Sequence, residues 1–146
     1  MKEFHFTFEK DWRTAPIAFW VHVPVKGEAT LCEPPAPPIV PHKGFPVLHV
    51  QFGSHDLQFS SGAQLGHCID VLASKPLPTS RQLSSKRGLP VGPNGHWLSR
   101  LPARLKSPRT RPKLVETLRL AWKFAEIAAP NHAFQQTPIK AVEIED

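Results

Sequence analysis

Hydrophobic and polar positions alternate strictly at the start of the chain. Phe4, Phe6 and Phe8 are separated by His5, Thr7 and Glu9, which puts three phenylalanines on one face of a strand. After a turn over Asp11 to Pro16, the run Ile17 to Val25 is read the same way. Ile17, Phe19, Val21 and Val23 then face one side, and Ala18, Trp20 and His22 the other. Val47 to Phe52 is a third strand. Gly53-Ser54-His55-Asp56 is rich in turn formers and Leu57 to Phe59 alternates again, so Val47 to Phe59 predicts a β-hairpin. The period then changes. Ser61-Gly62-Ala63-Gln64 has capping-box spacing, and Leu65, Ile69, Leu72 and Ala73 follow at helical intervals, with Gln64, His67, Asp70 and Ser74 on the polar side. Pro76 limits that helix. A last helix begins near Pro112, carries Leu114, Leu118, Ala121, Trp122 and Ala125 as its apolar stripe, and stops by Pro130.

These elements predict an α+β fold: an antiparallel sheet of about four strands packed with two main helices and joined by Pro-rich loops. Residues 1–130 form one domain, in which 42–75 is hairpin plus helix, 76–112 a basic loop-rich segment and 112–129 the last helix. Residues 131–146 form a loose C-terminal tail. The expected core joins Phe6, Phe19, Val21, Val50 and Phe59 to Leu65, Ile69, Leu118 and Trp122.

Composition changes this picture in one respect. Proline occupies 17 of 146 positions, more than twice its usual share of about 5%. Pro34, Pro35, Pro37, Pro38 and Pro41 make an extended crossover rather than regular structure. A chain of this length can bury roughly 70% of its unfolded surface, so it needs no covalent staples. Cys32 and Cys68 form no CxxC pair and are expected as unbonded thiols. The sequence has no run of about 18 apolar residues and no signal-peptide pattern at its start, so a cytoplasmic protein without a membrane span is expected.

Charge changes it more. The net charge of +6 comes from 18 basic and 12 acidic residues, unevenly placed. Between Val71 and Val115 lie Lys75, Arg81, Lys86, Arg87, Arg100, Arg104, Lys106, Arg109, Arg111 and Lys113, with no Asp or Glu among them. Such an asymmetry suits a polyanionic partner or an acidic protein surface. The candidate nucleic-acid-binding residues are Arg81, Lys86, Arg87, Trp97, Arg100, Arg104, Lys106, Arg109, Arg111 and Lys113. Arginines give bidentate phosphate contacts and Trp97 offers a ring for an unpaired base. Trp97, Leu98, Leu101 and Leu105 anchor a short helical turn on which Arg100 and Arg104, four apart, point outward together. Nothing has the pattern of a base-reading recognition helix, so DNA or RNA would be held by its phosphate backbone.

The run FSSGAQLGHCIDVLASKPLPTSRQLS, followed by GPNGHWLSRLPARLKSPRTRPKLVETL, resembles small uncharacterised accessory proteins of bacterial integrative and mobile elements, over the region Phe59 to Leu114. The resemblance implies a genomic setting and carries no activity or catalytic residue.

Catalytic chemistry has less support. His5, His22 and His49 fall opposite the apolar faces of their strands, where three imidazoles would share one surface. Their spacing matches no metal motif, which leaves a metal-independent ribonuclease as an alternative. His55-Asp56 is read as turn chemistry, and Cys68, beside Ile69, as a buried thiol. Gly92-Pro93-Asn94-Gly95 lacks the Gly-Lys-Ser/Thr ending of a phosphate loop. No metal, cofactor or catalytic residue is therefore expected. The leading reading is a small basic nucleic-acid-binding protein. The other alternative is a protein-binding inhibitor or adaptor of a host defence or nucleoprotein complex.

Overall fold

A computed structural model describes residues 4–25, 27, 31–79, 82–83, 97–129 and 134. Strand β1 (Phe4–Glu9) leads through a single 3₁₀ turn, Trp12–Thr14, to the short helix α1 (Ala18–Val21). Two-residue strands β2 (Val23–Pro24) and β3 (Cys32–Glu33) pair with each other. β4 (Phe45–Phe52) and β5 (His55–Phe59) follow, then helix α2 (Gly62–Ala73). The described chain resumes with α3 (Trp97–Arg100), α4 (Ala103–Lys106) and the long α5 (Arg111–Ala128). The fold is α+β, as the pattern predicts, with three strands in the antiparallel main sheet, in the order β1-β4-β5.

Register explains the faces. Phe6 opposes Leu48 and Leu48 opposes Phe59, so these side chains share the face that α2 and α5 cover. Gly53 opens the two-residue hairpin loop at φ +62°, as a turn matched to strand twist requires. The turn is therefore shorter than the tetrad expected from sequence, and His55 and Asp56 already belong to β5. At the other end of β4, Gly44 has φ +117°, and a Cβ there would stand 2.6 Å from the Glu9 carbonyl oxygen.

The second expected strand is corrected. Ile17 to Val21 winds into α1, and Phe19 is 44% exposed while Ile17 and Ala18 are buried. Every residue from Ile17 to Val21 is apolar, so burial alone could satisfy period 2 or period 3.6. Pro16 presets a turn just before, and the helical period wins. Phe19 therefore leaves the expected core, while Val50, Phe59, Leu65, Ile69 and Leu118 remain in it; Phe6, Val21 and Trp122 pack against it half-buried.

Both long helices show why they start where they do. Ser61 caps α2 by accepting the Gln64 N–H at 3.2 Å. The Gln64 side-chain oxygen Oε1 reaches one residue further back than in a standard capping box, accepting the Ser60 N–H at 2.9 Å, and its Nε2 donates to Ser60 Oγ. Gln64, expected on the polar side, is thus fully buried. Ahead of α5, Ser107 Oγ accepts the Thr110 N–H and its carbonyl accepts the Arg111 N–H, and Pro112 sits in the first turn of the helix, where its missing N–H costs no hydrogen bond. Gly66 lets the Trp122 ring lie within van der Waals reach, where α2 and α5 meet.

The expected loose tail is also corrected at one point. Phe134 is 1% exposed, and its ring meets Phe6 edge-on with centroids 5.4 Å apart. The other positions of 131–146 lie outside the described residues. Among the described residues, no helix is long and apolar enough to cross a membrane.

Candidate nucleic-acid interface

The basic segment divides into three groups. Arg81, Lys86 and Arg87 lie outside the described residues. Arg100, Arg104, Arg109 and Lys113 are exposed. Arg111 and Lys106 are half-buried, and the Lys106 ammonium donates to the Leu98 carbonyl at 2.9 Å, which commits part of its charge to closing α3.

The short helical turn expected to carry Arg100 and Arg104 is two helices with a corner between them. Pro102 supplies no N–H and disfavours helical geometry at Leu101, so α3 ends and α4 begins beyond it. Both arginines still face solvent. The first turn of α5 holds Arg111 and Lys113 and no acidic residue. Like charges therefore meet the positive end of the helix dipole, which an anion would relieve. Neither ion pair found among the described residues, Arg13–Asp11 or His49–Asp56, involves this segment.

Trp97 sits differently from its expected role. It is 7% exposed, and its indole N–H points to His67 Nε2 at 3.3 Å. As an open stacking platform it is withdrawn; it is a core residue with one edge toward α2.

The three-histidine surface is corrected as well. His22 is buried at 4% exposure, because α1 turns it inward. Its Nδ1 donates to the Pro34 carbonyl at 3.0 Å, and a carbonyl only accepts, so Nε2 is the acceptor for the Ser61 hydroxyl at 2.9 Å. Burial holds this imidazole below its ordinary pKa, against weaker upward pulls from the Pro34 and Pro35 carbonyls. His5 and His49 do share the sheet face turned away from the helices, stacked at 4.6 Å.

That face holds a chain of contacts the sequence analysis did not assemble. His49 Nδ1 meets Asp56 Oδ2 at 3.0 Å, and His49 Nε2 meets Thr7 Oγ1 at 2.7 Å. Thr7 lies 3.3 Å from Glu9 Oε2, and Gln58 donates to Asp56. The order hydroxyl, imidazole, carboxylate allows a proton to move from Thr7 toward His49 while Asp56 orients the ring. The signal in the sequence was the shared parity of Thr7 with His5 and of Asp56 with Gln58. Only strand register shows that these fall beside His49.

Cys32 and Cys68 are free thiols, and burial pushes Cys68 up to about 12. Among the described residues, no group of three His, Cys, Asp or Glu side chains is placed to hold a metal ion. No family model, curated protein or solved structure matches this chain.

Proposed function

We propose that the protein binds nucleic acid through the phosphate backbone, using Arg100, Arg104, Arg109 and Lys113, with Arg111 at the margin and Arg81, Lys86 and Arg87 extending the segment. The observation that carries this reading is the exposure of four cations along a stretch, Trp97 to Lys113, that contains no acidic residue. Surface cations are ordinarily interleaved with carboxylates, and a one-signed field instead raises the local concentration of a polyanion. In this reading the protein is a cytoplasmic accessory factor, and the resemblance over Phe59 to Leu114 supports a mobile-element setting.

Binding measured against salt tests it. Each phosphate contact on duplex DNA contributes a slope of about −0.9 in log K against log salt, so four contacts give about −3 to −4. Replacing Arg100 and Arg104 by Ala removes about two of those units. Absence of salt-dependent binding to duplex DNA, single-stranded DNA and RNA rejects the reading. Co-purification with an acidic protein under those conditions favours the adaptor alternative.

A second reading draws on the His5–His49 stack with Asp56 behind it. It is a metal-independent ribonuclease in which one imidazole takes the 2′-hydroxyl proton and the other protonates the leaving oxygen. RNA cleavage that disappears in His49→Ala supports it; unchanged cleavage rejects it.

A further inference from the structure

Between β5 and the corner of α3 and α4 lies a cleft of about 400 Å³. β5 is the outer strand of the main sheet, so its far edge faces this space rather than another strand of that sheet. Leu57, Leu101, Pro102 and Leu105 give the cleft an apolar lining, and Arg100, Asp56 and the Gln58 amide that donates to Asp56 bring polar groups to it. Its volume falls in the range of small-ligand sites. His55 also lines it, and the Nε2 of that ring is shielded from solvent without a hydrogen-bond partner among the described residues. A buried polar atom left unpaired is unfavourable and rare in folded proteins.

Arg100 belongs both to this cleft and to the basic segment. A larger depression of about 810 Å³, beside α2, has Asp70 on its wall and no Lys or Arg among its described lining residues. Each site has one carboxylate on its described wall, Asp70 in the larger and Asp56 in the smaller, and among the described residues only the smaller also has a guanidinium, that of Arg100. A base offers two apolar faces and a polar rim, and it brings a phosphate with it at the cleft mouth. The lining repeats that combination: aliphatic walls with the His55 ring beside them, the Gln58 amide and Asp56 carboxylate for the rim, and the Arg100 guanidinium for the phosphate.

We propose that this cleft takes one unstacked base of a single-stranded nucleic acid whose backbone runs along the basic segment. The proposal rests on the polyanion reading above and adds to it the class of strand. A paired base stays inside the duplex stack and cannot enter, so the cleft selects single strands.

The test uses the full chain with two probes, a single-stranded DNA carrying a fluorescent adenine analogue and the same strand annealed to its complement. The expected result is tighter binding of the single strand, with a change in the analogue's fluorescence on binding. Leu101→Trp, which fills the cleft, and His55→Ala, which removes its unpaired ring, should each weaken single-strand binding, the former by about tenfold or more. Duplex binding and the salt slope should stay unchanged in both, and thermal melts identify any variant that has lost its fold. Equal affinity for the two probes, or single-strand affinity unchanged in both folded variants, overturns the base-binding cleft and leaves the basic surface standing. Failure of the wild-type chain to bind either probe overturns the polyanion reading and the cleft with it.

Discussion

The imidazole of His22 and the hydroxyl of Ser61 meet at 2.9 Å across 39 positions of the chain. Ser61 is at the same time the cap of α2, and His22 is tied to the Pro34 carbonyl, so one buried chain of hydrogen bonds fastens the Pro-rich crossover to the start of a core helix. Removing the hydroxyl leaves the ring nitrogen without a donor and the helix without a cap. Ser61→Ala should therefore cost about 1–3 kcal/mol, read as a shift of the urea midpoint.

The same histidine makes stability depend on pH. Its folded pKa lies below the ordinary 6.5. As pH falls through 6.5 the unfolded chain takes up a proton that the folded chain resists. The unfolded state then binds more protons, so stability drops below that pH and levels off once the folded pKa is passed. The limiting slope from this group is about 1.4 kcal/mol per pH unit. Denaturation of wild type and His22→Gln across this range should show a smaller loss on acidification in the variant; equal losses would remove His22 as the source.

Gly44→Ala should be destabilising by about 1–3 kcal/mol. The backbone there is left-handed, and the new Cβ would stand 2.6 Å from the Glu9 carbonyl oxygen, at the end of the β1–β4 pairing. Gly53→Ala meets no neighbouring atom within 4 Å and bears only the conformational strain. The Gly44 variant should be the less stable of the two in thermal melts.

Phe19 and Leu118 separate the observed core from the one expected by alternation. Leu118 is fully buried, and Leu118→Ala should cost about 2–5 kcal/mol. Phe19 is 44% exposed, and Phe19→Ala should cost under about 1 kcal/mol. A large loss at Phe19 would restore the strand reading of Ile17 to Val25.

Arg100→Ala with Arg104→Ala should leave stability within about 0.5 kcal/mol of wild type, because both side chains are exposed and make no ion pair among the described residues. Calorimetry of the double variant checks this independently of binding.

Much of the architecture was legible because its periods were clean. Phe4, Phe6 and Phe8 could only be one face of a strand, and Leu114, Leu118, Ala121 and Ala125 only one stripe of a helix. The hairpin, the Ser61 cap and the one-signed charge of residues 71–115 were equally local, each written within a few neighbouring residues. Ile17 to Val21 was not legible, because an unbroken apolar run fits either period and packing against α2 chooses between them. Phe134 carried no local signal; its burial follows from the space that β1 leaves beside Phe6. The Thr7–His49–Asp56 chain and the cleft beside β5 depend on strand register and on a proline corner, so they exist only once distant segments are paired. Sequence by itself determined the elements with a clean period and the total charge. Tertiary packing decided which residues of ambiguous period turned inward, and which polar side chains came within bonding distance of one another.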